Sequence, residues 1–475
     1  MNHRSIASFV EQRWDTSILP VLADYIRIPN KSPAFDADWQ ANGHMDKAVT
    51  LLRQWADDAG VDGFSSDVVR LPGRTPLLYA EVASTGSTGS VLLYGHYDKQ
   101  PEFDGWEPDL SPWEPVFRDG RLYGRGGADD GYALFGSLTA IAALQAEGKA
   151  HARCVLLIEG CEESGSYDLP FYVDLLKAHI GDPDLVVCLD AECGNYEQLW
   201  ATTSLRGMLP GVLEVAVLAE GQHSGAAGGI VPSSFRLLRE VMNRVEDPAT
   251  GVLHPALHVK IPDDVRAQLS AVASVLGSTV TDRFPWLPGV RPETDDPVEL
   301  LINNAWRPSL ATVGLSGAPA VGDAGNTLRP GTQAKLVFRL PPTLDAAVAA
   351  ATVKAELERD PPFGAQVRFE VETPQSGWCA PPFAPWLAAS IDQASQNYFG
   401  KPAKRMGMGG TIPFMKMLGD AYPNVQFLVT GVLGPKSNAH GPNEFLEIAT
   451  GKRITASVAQ ILADHASASA SARGI

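Results

Sequence analysis

An α/β fold interrupted by a smaller α+β domain is what the sequence predicts, on three observations. The first is a set of short apolar runs, each closed by turn or polar residues: Val91–Tyr94, Cys154–Ile158, Leu185–Leu189 and Val425–Val429. Runs this short and this apolar suit strands buried on both faces of a mostly parallel sheet. The second is the presence of helix-like stretches between them, Tyr132–Glu147 and Leu169–His179, which places helices on both faces of that sheet. The third is a change of pattern in the middle. From about Met208 to Val371, strand-like Gly211–Leu218 and Ala334–Leu340 and helix-like Ser233–Val245 and Leu344–Glu358 follow no such alternation.

The remaining elements fall into place around these. Two amphipathic helices are predicted at 4–28 and 44–60, before the first buried run. The α/β domain is then discontinuous, 1–207 and 380–475, and the α+β domain occupies 208–379. Several prolines mark 283–309 as an irregular insertion, and the proline-rich stretch from Cys379 reads as the return linker. The tail after His465, ASASASARGI, is low in complexity and has the composition of a frayed end.

At 475 residues the chain exceeds one ordinary core, and 45% apolar with 20% charged residues is a globular profile. A formal net charge of -17 argues against nucleic acid as a partner, because phosphate binding needs a basic face. The five cysteines, Cys154, Cys161, Cys188, Cys193 and Cys379, are odd in number and have no CxxC spacing. They read as free thiols in a reducing compartment rather than a disulfide framework or a cysteine-rich structural zinc site. Neither a signal-peptide pattern nor an apolar stretch of membrane-spanning length is present, so no membrane partner and a cytoplasmic location are expected.

Chemistry concentrates just past the buried runs. His96 and Asp98 follow Val91–Tyr94, and Asp129 and Asp130 precede the helix at Tyr132. Glu162 and Glu163 follow Cys154–Ile158, and Asp190 follows Leu185–Leu189. His440 comes after Val425–Val429. In an open parallel sheet these strand ends converge on one crevice. Two histidines with several carboxylates give mixed nitrogen and oxygen ligation, typical of catalytic zinc, with manganese or cobalt as substitutes. Such a set suffices for two divalent ions if one carboxylate bridges them, and leaves a carboxylate over as general base. Alone, each group also fits a blander role: Asp129 and Asp130 as a helix cap, Glu162 and Glu163 as solvated turn residues, His440 as a surface histidine. The same His-x-Asp letters recur at His44 and Asp46, in a helix-like segment without a buried strand before it, and that copy is not expected to bind metal.

The segments LLYGHYDKQP, LYGRGGADD, IEGCEESGS, VVCLDAE, GQHSGAAGG, GGTIPFM and SNAHGPNE together resemble the metallopeptidase family of aminoacylase, carnosinase, cytosolic dipeptidases and glutamate carboxypeptidase. The resemblance spans nearly the whole chain, and the long middle domain is most similar to the long-lid dipeptidase branch. It implies that His96 and Asp190 hold one metal ion, that Glu163 and His440 hold the other, and that Asp129 bridges both. It also implies that Glu162 is the general base, that Asp98 orients the His96 ring, and that the Asp129–Asp130 peptide is cis. In the middle domain, which becomes a lid and dimerisation domain, His223 would reach the active site of a second subunit and help hold the oxyanion. Arg339 and Asn326 would contact the substrate, the arginine through its carboxylate. The segment with Gly410 and Thr411 reads either as backbone N–H groups and a hydroxyl set against that carboxylate or as a tight turn only.

Two departures stand out. Asp130-Gly131-Tyr132 lacks the lysine that many relatives carry after the paired acid, and Met408 stands where relatives often have glutamate. The function implied is hydrolysis of a dipeptide or small peptide by a homodimer. The alternatives are an N-acyl amino acid deacylase with the same metal site and, less favoured because Glu162 and Asp129 are both retained, an inactive binding homologue.

Overall fold

The computed structural model describes residues 2–468. Its larger sheet has six strands, in the order Phe64–Val69, Leu77–Val82, Arg153–Glu159, Ser90–His96, Leu185–Cys188, Gln426–Val429. The last four run parallel, and the first two form an antiparallel edge. Alternation along the central strand divides its side chains between two cores: Val91 and Leu93 face one, Leu92 and Tyr94 the other. The first core receives the helices His3–Arg13, Leu19–Ile26, His44–Asp57, Ala133–Ala146 and Ile448–Ser467. The second receives Leu169–Leu175 and Pro413–Ala421. The predicted doubly covered sheet is therefore present, and both faces are dry.

The middle of the chain forms a separate antiparallel sheet, in the order Ser309–Ser316, Gly331–Leu340, Gly207–Ala216, Gln366–Val371. Helices Ser234–Met242 and Ala346–Glu358 cover one face and share a core with it through Leu213, Leu237, Leu336 and Val353. Asp345 caps the second helix, accepting from the amides of Ala347 and Val348 at 2.9 Å each, a contact worth about 1 kcal/mol.

The expectation of an irregular insertion at 283–309 needs correcting. Its prolines do not all break structure. Pro297 opens a helix, Pro297–Ala305, where its missing N–H costs nothing, and Asp296 caps it. Ile302 and Ala305 of that helix bury against Leu269 of the helix Asp263–Leu276. The N-terminal helix predicted at 4–28 is present as His3–Arg13 and Leu19–Ile26, joined without interruption by a wider helical turn at Trp14–Ile18. At the other end, Ile448–Ser467 is helical, and residues 469–475 of the low-complexity tail lie outside the described residues. Among the described residues no helix is long and apolar enough to cross a membrane.

Candidate active site

The carboxyl ends of the parallel strands and the loops leaving them bring the acidic and histidine residues together. His96 is the last residue of its strand and is buried. The approach there is so close that a side chain at Gly95 would place its Cβ 2.5 Å from Ala133 and 2.8 Å from the Asp130 carboxylate. From His96, Nε2 lies 3.2 Å from Asp129 Oδ1 and 3.7 Å from Asp190 Oδ2. On the other side, His440 Nε2 lies 3.2 Å from Asp129 Oδ2 and 3.2 Å from Glu163 Oε2. Asp129 thus offers one oxygen to each imidazole, and its peptide bond to Asp130 is cis. Two groups result, His96–Asp129–Asp190 and Asp129–Glu163–His440, each with its ligand atoms within 4.8 Å of one another.

The donor set fits two cations. Both histidines and three carboxylates offer the nitrogen and oxygen ligation expected of catalytic divalent ions. Glu163 Oε1 is buried with no hydrogen-bond partner among the described residues, and a buried acceptor without a donor calls for one. The surroundings are strongly acidic, since Asp98, Asp130 and Glu162 crowd the same space. Burial and the neighbouring Asp129 and Glu163 push Asp190 up to about 7, although the two histidines oppose this. Burial works against protonated His96, but the hydrogen bond it donates to Asp129 and the charge of Asp190 outweigh this and raise the imidazole well above its usual range. Asp129 goes the other way: burial is overcome by hydrogen bonds from His440 and His96, which hold it below the ordinary carboxylate range.

Asp98 has two contacts. His96 Nδ1 lies 3.1 Å from its backbone carbonyl and 3.5 Å from Oδ1. Its carboxylate also accepts from the amides of Glu162 and Glu163, each at 3.0 Å. One residue therefore holds both the His96 ring, through its carbonyl, and the turn that presents the paired acids, through its carboxylate. Glu162 makes no ion pair and its carboxylate accepts no hydrogen bond among the described residues, yet it lines the cleft. Burial and the charge of Asp190 raise it well above its ordinary value.

The cleft measures about 610 Å³ and lies between the two sheets. Asp129, Glu162, Glu163, Asp190 and His440 line it, and so do Arg339, Gly410 and Thr411. Arg339 Nη1 donates to Thr411 Oγ1 at 3.2 Å. His223 and Asn326 are not brought there. Both are exposed: His223 lies in a two-stranded ribbon opposite Thr327, and Asn326 directly precedes that second strand, its carbonyl accepting from the amide of Ser224 at 2.9 Å. His44 opens the helix His44–Asp57 while Asp46 pairs with Arg70, so the second His-x-Asp takes no part in the site.

Four residues escape motif reasoning. Gln100 donates to Glu163 Oε2 at 2.5 Å. Arg125 and Glu444 form a buried ion pair at 2.6 Å. The Arg125 guanidinium also donates to the carbonyls of Ala439 and Gly441, on either side of His440, while Glu444 accepts from the Gly126 amide at 2.9 Å. Arg206, at the junction with the second sheet, lines the cleft beside Arg339. Gln100, Arg125 and Glu444 stand inside LLYGHYDKQP, LYGRGGADD and SNAHGPNE, so proximity to the proposed ligands was the available signal; Arg206 had none.

Comparison with known proteins agrees with this geometry. The sequence profile of "Peptidase family M20/M25/M40" matches residues 92–464. Cysteinylglycine-S-conjugate dipeptidase of Corynebacterium striatum is 28% identical over 375 residues, covering 76% of this chain and 78% of the relative. Among solved structures, the dipeptidase Dug1p of Saccharomyces cerevisiae superposes with a TM-score of 0.79 at 21% identity, over 98% of this chain and 100% of that one. Human carnosine dipeptidase 1 gives 0.78 at 21% identity, again over 98% and 100%. The two-sheet architecture is that of a catalytic domain with a lid, membership implies divalent metal ions, and the chain belongs to peptidase family M20/M25/M40, in its dipeptidase branch.

Proposed function

We propose that this enzyme hydrolyses the amide bond of dipeptides with two zinc ions, using Glu162 as the general base. One ion would be held by His96, Asp190 and Asp129, the other by Asp129, Glu163 and His440. Bound there, divalent ions supply Lewis acidity to the scissile carbonyl and acidify the attacking water. Glu162 takes the proton from that water at its carboxylate and returns it to the departing nitrogen. Its environment suits this exchange, because burial and neighbouring acids raise its proton affinity. Arg339 and Thr411, with the Gly410 backbone, orient the substrate through its carboxylate. Asp98 keeps the His96 ring aimed.

The observation that carries the assignment is the position of Glu162. Among the described residues it is the cleft carboxylate that accepts no hydrogen bond and makes no ion pair, and Asp190, His96 and Glu163 are near enough to act on its charge. Glu162→Gln should lower kcat by about 10²–10⁴-fold with two ions still bound by elemental analysis. A fully active variant removes the base from Glu162. Dipeptides should be cleaved in preference to N-acetyl amino acids, and the reverse preference favours the deacylase alternative. After chelation, zinc should restore activity more fully than manganese or cobalt.

His223 and Asn326, exposed on the lid and outside their own cleft, are read as serving the cleft of a second copy. The active form is then a homodimer through the lid. His223→Ala should cost about 10²–10³-fold in kcat without loss of metal, and a monomer of full activity in sedimentation ends this reading. The five cysteines are all free, which supports a reducing, cytoplasmic setting.

A further inference from the structure

The part of the cleft lined by Arg206 and Arg339 carries more positive charge than a single substrate carboxylate neutralises. Arg206 is only 7% exposed. Its Nε donates to the Gly409 carbonyl at 3.2 Å, and its Nη1 donates to the carbonyls of Asn303 and Arg307 and to Ser309 Oγ, at 3.4, 3.3 and 3.0 Å. All four acceptors are neutral. They fix the plane of the guanidinium without cancelling its charge, and Nη2 has no protein acceptor among the described residues. Arg339 stands next to it. Ser309 and Met208 are its partners on the neighbouring strands, and Thr411 Oγ1, which accepts from Arg339, itself donates to the Arg206 carbonyl at 2.6 Å.

Among the described residues neither arginine makes an ion pair. Glu192, the acid that acts on Arg206 through space, is engaged by Arg283 at 3.4 Å. Burial, and then the charge of Arg339, lower Arg206 to about 10; it remains cationic at neutral pH. Met408 lines the same wall with a thioether and brings no negative charge. Burying a guanidinium is costly unless an anion meets it, and a fixed fork with an open edge is suited to bidentate carboxylate recognition.

We propose that Arg206 and Arg339 form a paired anion site that selects substrates with two carboxylates on the departing residue, that is, dipeptides ending in aspartate or glutamate. This rests on the dipeptidase reading above. Arg339 takes the α-carboxylate and Arg206 takes the side-chain carboxylate. The acceptors already on Arg206 hold its open edge toward the cleft before substrate arrives, which spares the ordering cost of a mobile side chain.

The test compares Ala-Glu and Ala-Asp with Ala-Ala and Ala-Gln on the zinc-loaded enzyme. A charge-assisted contact predicts a kcat/KM about tenfold higher for the acidic substrates. Without catalysis, free glutamate should inhibit Ala-Ala cleavage about tenfold more tightly than free alanine or glutamine. In Arg206→Gln the ratio of acidic to neutral kcat/KM should fall toward one. Equal rates and equal inhibition in the unmodified enzyme overturn the proposal, whether or not the variant folds. Failure to cleave any of the four dipeptides counts instead against the dipeptidase reading; the anion site is then judged by calorimetric binding of free glutamate, and an affinity no greater than that of free glutamine overturns it. An Arg206→Gln protein that folds and keeps the acidic preference assigns the preference to another group and also overturns the proposal.

Discussion

His96 and His440 hold equivalent places on either side of Asp129, but they are built differently. His96 ends a strand buried on both faces, and its side chain is 0% exposed. His440 sits on a loop, its side chain 60% exposed. The first half of the ligand cluster is positioned by the sheet itself. The second is positioned by the Arg125–Glu444 pair, which grips the backbone on both sides of His440 and ties it to the segment carrying Asp129. A loop ligand held by one ion pair can be loosened without disturbing the fold, whereas a strand-end ligand cannot.

Asp129→Ala removes the oxygen each half needs, so both ions should be lost together and kcat should fall on the order of 10³–10⁴-fold; metal content of the dialysed protein and initial rates check this. If only one ion leaves, Asp129 does not bridge. Arg125→Lys keeps the charge facing Glu444 but loses the fork that spans Ala439 and Gly441. Its affinity for the second ion should drop about 10–100-fold while the first stays bound, read by stepwise cobalt titration. Equal weakening of both would mean that the two halves are not separately supported.

A smaller effect concerns protons. His96 and His440 have raised proton affinity, and Asp190 is pushed up to about 7. Cations must displace those protons, so metal affinity should rise with pH and fall as pH drops below about 7, by about tenfold per unit for each proton released. Calorimetry in buffers of different ionisation enthalpy counts the protons, and pH-independent binding contradicts the assignment. The smallest change is expected from Gln100→Ala, which removes one donor from Glu163. Loss of a hydrogen bond to a charged group on one ligand should weaken the second ion about fivefold and leave the first unaffected.

Legibility followed the same divide. His96, Asp190 and the turn at Glu162–Glu163 could be located because a buried strand writes itself as an apolar run, and the residue after the run must emerge at the sheet edge. The false copy at His44 lacked such a run and proved to be a helix start. His440 was found only through its motif, as its loop has no periodic signature. Arg125 was missed in any functional role because its partners lie more than 300 positions away, at Ala439, Gly441 and Glu444. The prolines of 283–309 misled because the same residue that ends a helix also favours its first turn, and only the cap at Asp296 and the packing of Ile302 reveal which.

Local composition was enough to read the sheet, its covering helices and the residue types of the candidate metal site, since burial on both faces restricts which residues a strand can carry. Tertiary structure alone decided which carboxylate stays unpartnered, which guanidiniums face the cleft, and that His223 and Asn326 stand outside it. Those outcomes depend on distances between segments remote in the chain, and the free energy of a buried charge is set by what lies within a few ångströms of it rather than by its neighbours in sequence.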